Sequence, residues 1–193
     1  MTLKKVNPTT LITFLFILGT GLIRILTNLS SGLSPLSNFT PIGAMALFGG
    51  AYFTQSWKGF ALPLLTLFVS DVVLSFTAFS QYRTGLLYGG WYWTYAAFAL
   101  MTVVGRFIKT VHVPGVLLGS LACVLIHWIV TDLGVWLGGT MYPHTMSGYG
   151  LCLIAAIPFE WNFLAGTLLY SAILFGAFEW MKHRYPQFQL SVK

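Results

Sequence analysis

Long apolar runs separated by short polar connections set the pattern of this chain. Most of these runs approach or exceed the roughly 20 residues that an α-helix needs to cross the hydrocarbon core of a membrane. The run from Pro41 to Tyr52 is shorter and rich in glycine, so by length alone it is also compatible with a re-entrant segment. We predict six transmembrane helices, at Thr9–Leu29, Pro41–Tyr52, Trp57–Phe79, Trp91–Ile108, Val113–Leu137 and Phe159–Met181.

One further apolar segment, Tyr149–Ile157, ends at Pro158. Because proline favours the start of a helix over its interior, we predict that the last helix begins just after Pro158. The segment before it is then expected to lie flat at the membrane interface as a lid. This interpretation makes Gly138–Pro158 a long outer connection.

The composition supports an all-α integral membrane protein with one domain, residues 1–193. Hydrophobic residues make up 56% of the chain and charged residues only 7%, against about 25% charged residues in soluble domains. The net charge of +6 comes from single Lys and Arg residues between apolar runs. Because no basic stripe is present, we expect no nucleic-acid partner.

The distribution of basic residues predicts the orientation. With six spans, Arg83 is the one loop cation on the outer side, and the cytoplasmic side carries Lys4, Lys5, Lys58, Arg106, Lys109, Lys182, Arg184 and Lys193. Omitting the second span divides these cations six against three. The positive-inside rule therefore favours six spans with both termini in the cytoplasm.

Polar residues inside or beside the spans are the candidate site. Each buried charge costs roughly 2.5–3.5 kcal/mol on membrane-insertion scales, and all of these residues fall in the outer half of the predicted bundle. The outer loops add further polar groups. We predict a substrate pocket open to the outside, contacted by Arg24, Asn38, Asp71, Arg83, Tyr88, His127, Asp132, Glu160 and Asn162.

Each of these residues also has a purely structural interpretation. Asp132 shares a helix face with Trp128 and Trp136, which suits a flat ligand, but it is equally placed to pair with Arg24. Asp71 is either a pocket residue or a partner in a hydrogen bond between helices, and the same holds for His127. Glu179 lies at the cytoplasmic end of the last span, near Lys182, and is predicted to form an interface pair.

Motifs for catalysis are missing. The sequence contains no HExxH, GxSxG or Walker-type GxxxxGK[ST] pattern. Cys123 and Cys152 lie in apolar segments without CxxC spacing, which favours buried thiols over a metal site or a disulfide. We therefore expect no enzymatic activity, no metal and no cofactor.

Four stretches carry a resemblance to a known family: Asn38–Tyr52, Pro63–Asp71, Thr131–Trp136 and Ala155–Phe159. They resemble a bacterial membrane family of undefined function. That family is similar to the substrate-binding S-components of energy-coupling factor (ECF) vitamin transporters. The resemblance implies a multi-pass protein of the bacterial cytoplasmic (inner) membrane that captures a vitamin-type micronutrient from outside.

The resemblance also implies a partner, a coupling membrane protein driven by two ATPases. Many S-components dock it through an Ala-xxx-Ala pair on the first helix, whereas this chain reads Leu-Gly-Thr-Gly-Leu at Leu18–Leu22. Docking would then use another surface, or the protein would act alone, as some cobalamin-specific relatives are thought to do. A cobalamin-like substrate is admissible, with His127 or His144 as cobalt ligand.

The prediction is thus a substrate-binding subunit of a micronutrient importer, in contact with a small-molecule substrate and membrane lipid. Three alternatives stay open. The first is a proton-coupled secondary transporter using Asp71 or Asp132, the second an intramembrane enzyme acting on a hydrophobic substrate. The third is a scaffold in which the polar residues only join helices.

Overall fold

The computed structural model describes residues 19–28, 37–53 and 56–184, and within these ranges the chain is helical and has no strand. Residues 19–28 belong to α1. The helices that follow are α2 (Ile42–Tyr52), α3 (Ser56–Phe76), α4 (Trp91–Arg106), α5 (Val113–Gly138) and α6 (Met146–Arg184), with a 3-10 turn at Ser80–Tyr82.

Three helices are long and apolar enough to cross a membrane: α3 over Trp57–Phe76, α5 and α6. Their outward surfaces are apolar as well. More than half of the surface is exposed for Leu118 and Leu125 on α5 and for Ile154 on α6. Exposed leucine and isoleucine on successive turns suit a lipid environment, because hydrocarbon chains replace the water that such surfaces avoid.

The short helix α2 forms the centre of the bundle. It packs against α3, α4, α5 and α6, and ten of its eleven residues are buried. At 1.5 Å per residue α2 is roughly 17 Å long, about half of the hydrocarbon thickness. The predicted second span is therefore a helix at the expected place, surrounded on its sides by other helices, but it is too short to cross the hydrocarbon core by itself.

Glycines allow the neighbouring helices to approach α2 closely. A Cβ atom added at Gly50 would overlap the carbonyl oxygen of Thr102 on α4, and one added at Gly105 would overlap the carbonyl oxygen of Leu47. On the other side of α2, a Cβ atom at Gly49 would lie 2.7 Å from the carbonyl oxygen of Gly59 on α3. Helix backbones are thus in direct contact at both crossings, as small residues permit in membrane bundles.

The last helix differs from the prediction. The segment Tyr149–Ile157 is not an interfacial lid, because α6 runs without interruption through Pro158 for 39 residues. Proline removes one backbone N–H donor and so takes away the helical hydrogen bond to the carbonyl oxygen of Ile154, four residues earlier. The indole Nε1 of Trp128 on α5 donates to the carbonyl oxygen of Leu153, 2.9 Å away in the turn before Pro158. The connection between α5 and α6 is accordingly short, residues 139–145.

The other boundaries agree with the prediction to within a few residues. Helix α3 ends at Phe76, before the predicted Phe79, and α4 ends at Arg106, before the predicted Ile108. Of the predicted first span, residues 9–18 and 29 lie outside the described residues, as do Lys4, Lys5 and Lys193.

The close contacts of Gly50 predict that a Gly→Ala substitution there destabilises the protein, whereas the same substitution at a glycine without close neighbours does not. Gly50→Ala should lower the free energy of unfolding by about 1–3 kcal/mol, because the methyl group forces α2 and α4 apart. Gly176→Ala, in α6 with no neighbouring atom within 4 Å, should be neutral or stabilising by up to about 1 kcal/mol through helix propensity. Denaturant titration of the purified protein in mixed micelles measures both, and equal effects would contradict the packing argument.

Candidate functional site

The ionisable residues predicted for the site form two clusters. We call the first the arginine cluster: Arg24, Ser70, Asp71, Tyr88 and Tyr95. We call the second the histidine cluster: His127, Asp132 and Glu160.

The arginine cluster joins α1 to α3 through a buried ion pair. Nη2 of Arg24 lies 2.6 Å from Oδ1 of Asp71, and Nη1 donates to the Ser70 hydroxyl at 2.8 Å. Asp71 and Ser70 are fully buried, and Arg24 is 9% exposed. The partner of Arg24 is therefore Asp71 and not Asp132, which the sequence analysis considered.

Two tyrosines complete the arginine cluster from the side of α4. The hydroxyl groups of Tyr88, in the loop before α4, and of Tyr95, on α4, both interact with the Asp71 carboxylate. Burial raises the pKa of Tyr88 to about 12, and the nearby Asp71 charge adds to the shift. Tyr88 therefore remains a protonated hydrogen-bond donor at neutral pH.

The hydrogen-bonding capacity of the Asp71 carboxylate is nevertheless not fully used. Although Oδ1 lies close to the guanidinium, no N–H group is aligned with it, and neither Asp71 oxygen makes a well-formed hydrogen bond. The buried Tyr95 hydroxyl also has no hydrogen bond of good geometry. An ionised carboxylate offers about four lone-pair positions, so the arginine cluster retains acceptor capacity.

The histidine cluster joins α5 to α6. Nδ1 of His127 lies 2.7 Å from Oε1 of Glu160, with both side chains about nine-tenths buried. The imidazole stacks on Phe163 with ring centroids 4.1 Å apart, and Phe98 of α4 approaches it at 6.0 Å. The interpretation of His127 as a hydrogen-bonding residue between helices is confirmed.

Asp132 lies near this pair, little more than one helical turn after His127. It interacts electrostatically with Glu160 and with His127. The Cys152 thiol lies 3.7 Å from the Asp132 carbonyl oxygen and 4.0 Å from Oδ1. Oδ2 of Asp132 and Oε2 of Glu160 are buried without a hydrogen-bond partner.

The two indoles beside Asp132 are engaged by backbone groups. Trp128 donates to Leu153, as described above, and Nε1 of Trp136 donates to the carbonyl oxygen of Pro143 at 2.8 Å. Both indole N–H groups therefore hold the beginning of α6 and its preceding loop against α5.

Helix α4 relates the two clusters to each other. Tyr95 interacts with Asp71 in the arginine cluster, while Phe98, three residues later, contacts His127 in the histidine cluster. Positions three apart are neighbours on a helix surface. The two clusters therefore lie at a similar level of the bundle, on adjacent parts of the α4 surface.

The remaining predicted residues lie outside the two clusters. The Asn162 side chain donates to the Ser37 carbonyl oxygen at 3.0 Å, and Asn38 next to it has a left-handed backbone conformation, with φ of 65°. Arg83 is exposed and its guanidinium lies 4.4 Å from the centroid of the Phe76 ring. Asn162 thus fixes the loop that leads into α2.

A third ionic contact lies near the C-terminal end of α6. Glu179 and Lys182 form the predicted pair, at 3.0 Å. The Tyr52 hydroxyl at the end of α2 also donates to Glu179, and the Lys182 ammonium lies 5.6 Å from the Tyr52 ring centroid. Tyr52 was missed because an apolar run ending in tyrosine does not reveal which helix meets it.

Neither metal nor thiol chemistry emerges in the part of the chain that the structure describes. No three His, Cys, Asp or Glu side chains come together there as potential metal ligands. Cys123 and Cys152 are buried free thiols, as the apolar context of both residues predicted.

Comparison with known proteins yields one match. Residues 4–188, nearly the whole chain, match a family described as a family of unknown function (DUF6580). No curated protein and no solved structure matches the chain.

The arginine cluster predicts a strong non-additive effect on stability. Arg24→Gln leaves the buried Asp71 carboxylate unpaired and should cost about 3–5 kcal/mol of unfolding free energy. Adding Asp71→Asn removes the uncompensated charge and should restore part of that loss. A double-mutant cycle in mixed micelles measures the coupling. Arg83→Gln, at an exposed arginine, is the matched control and should cost about 1 kcal/mol or less; additive losses for the pair would contradict the ion pair.

Proposed function

We propose a function on the basis of the buried charged groups in the helix bundle. The chain belongs to the family of unknown function DUF6580. The protein is a substrate-binding membrane subunit of a micronutrient importer. It captures a small polar molecule between the outer halves of its helices. The bundle contributes binding and no covalent chemistry.

The observation that carries this proposal is the set of buried carboxylate oxygens without hydrogen-bond donors. They are Oδ2 of Asp132 and Oε2 of Glu160 in the histidine cluster, whereas the Asp71 carboxylate is paired with Arg24. Leaving a buried polar group unpaired costs about 1–3 kcal/mol, and more if it is charged. Buried ionisable groups inside a membrane bundle commonly mark a substrate or ion pathway. A ligand that brings its own donors would satisfy these oxygens.

The distribution of Lys and Arg residues supports the orientation in the membrane that we propose. Lys58, Arg106, Lys109, Lys182 and Arg184 all lie near helix ends on the side where Glu179 and Lys182 pair. The positive-inside rule makes this side cytoplasmic. Both clusters lie away from this side. Asp71 lies beyond the midpoint of α3, and His127 and Asp132 lie in the half of α5 that ends at Gly138. The proposal therefore includes six spans, cytoplasmic termini and a site that opens outward in the bacterial inner membrane.

The micronutrient class rests on the resemblance to S-components. A vitamin-type ligand is small, polar and rich in donors, which suits unpaired acceptors. A cobalamin-like substrate would use His127, because Glu160 holds Nδ1 and a carboxylate in that position orients the other ring nitrogen for metal ligation. The proposed partners are membrane lipid and a coupling membrane protein with two ATPases.

A second candidate function is favoured by the histidine cluster. His127 and Glu160 are hydrogen-bonded across two neighbouring helices, and Asp132 interacts electrostatically with both. Intramembrane proton relays use such chains of titratable groups. A proton-coupled secondary transporter would load a proton on Asp132 or Glu160 together with its substrate.

Capture predicts a ligand that survives purification. Wild-type protein extracted in a mild detergent should carry a near-stoichiometric small molecule, released by denaturation and identified by mass spectrometry. Asp132→Asn should reduce the amount at least tenfold, because it removes an acceptor and a carboxylate charge from the site. Glu179→Gln, which alters a carboxylate at the far end of α6, is the control and should retain the ligand. Preparations that are repeatedly empty, and that gain no thermal stability from a panel of vitamins, would rule out capture.

Uptake separates the two candidate functions. Cells expressing the protein should accumulate the identified ligand after the proton gradient is dissipated with a protonophore, provided that ATP is maintained. Uptake that stops with the gradient and survives ATP depletion would favour the secondary transporter instead.

A further inference from the structure

The two clusters differ in their balance of charge. In the arginine cluster, one guanidinium compensates the one carboxylate of Asp71. In the histidine cluster, two carboxylates face one imidazole, and the electrostatic partners of Asp132 are Glu160 and His127. With both carboxylates ionised, the negative charges of the cluster outnumber the positive charge that one imidazole can supply. The neighbouring side chains from α4 and α6, Phe98, Cys152 and Phe163, carry no positive charge.

The free acceptor atoms of the histidine cluster belong to both carboxylates. Glu160 uses Oε1 for His127 and leaves Oε2 without a donor, and Asp132 likewise leaves Oδ2 without a donor. The two residues are 7% and 9% exposed. A carboxylate so deeply buried needs a compensating charge or must take up a proton. A positively charged donor would supply the compensating charge, and the two unpaired oxygens are the acceptors available to it.

The arrangement suits an ammonium group better than a bare metal ion. The three side chains do not come together as a metal-ligand set. An ammonium group carries several N–H donors, so it can reach acceptors that do not converge on one point.

We infer that the histidine cluster binds the protonated amino group of a small organic ligand, with Oδ2 of Asp132 and Oε2 of Glu160 as its acceptors. This inference rests on the proposed function and names the chemical class of its substrate. The amino group neutralises the negative charge of the cluster, while the arginine cluster on the other part of the α4 surface is already neutral.

The test uses two probes of equal size that differ in charge. Benzylamine is protonated at pH 7, and benzyl alcohol is its uncharged counterpart. Thermal unfolding of the purified wild-type protein should shift upward in a saturable manner with benzylamine at millimolar concentration. Benzyl alcohol should give no saturable shift. The dissociation constant of benzylamine should rise at least tenfold in Asp132→Asn and in the double variant Asp132→Asn/Glu160→Gln.

Two variants keep the result interpretable. Asp132→Asn leaves the hydrogen bond between His127 and Glu160 intact, so it tests the charge without breaking the α5–α6 contact. Glu179→Gln removes a carboxylate at the far end of α6 and should keep the benzylamine shift. No benzylamine shift in the wild type, an equal shift with benzyl alcohol, or a shift retained in Asp132→Asn would each overturn the inference.

Mass spectrometry of the co-purified molecule separates this inference from the function on which it rests. A released ligand with a basic nitrogen supports both. A released ligand without a basic nitrogen overturns the amine inference and leaves capture standing. Empty wild-type protein that still binds benzylamine through Asp132 supports the cation site and counts against micronutrient capture.

Discussion

Every polar side chain inside this bundle must find its hydrogen-bond partner within the protein, because hydrocarbon on the outside offers none. Ser70 meets this constraint twice, since its hydroxyl donates to the Thr66 carbonyl oxygen of its own helix and accepts from Arg24. The Trp128 indole meets it by donating to the turn of α6 that precedes a proline. Oδ2 of Asp132 and Oε2 of Glu160 stand out because they are carboxylate oxygens without a donor, whereas the Asp71 carboxylate has Arg24 beside it.

The position of those oxygens depends on the packing of α2. This helix has no charged residue, and Gly49 and Gly50 bring α3 and α4 against its backbone. Close approach on two sides fixes the rotation of α4, and that rotation directs Tyr95 to Asp71 and Phe98 to His127. A polar site between helices thus rests on an apolar contact some distance from it.

The difference between the clusters gives each a separate role. The ion pair of Arg24 and Asp71 is neutral and joins α1 to α3, so its main contribution is to stability. The histidine cluster has an excess of negative charge and joins α5 to α6 at one carboxylate oxygen of Glu160. A ligand that supplies positive charge would gain most of its binding energy there, and the arginine cluster would shape the neighbouring wall.

The sequence by itself determined which segments are helical and at which level the polar residues lie, because the lengths of apolar runs and the rise per residue fix both. It did not determine the ion-pair partners. From the sequence, Arg24 was considered as a partner of Asp132, and its ion pair with Asp71 was not predicted, since the choice depends on which helices are neighbours and how each is rotated about its axis. The continuity of α6 was also decided by tertiary structure. Proline predicts a helix start from local geometry, whereas α6 continues through Pro158 packed along α5, with Trp128 donating to Leu153 in the preceding turn.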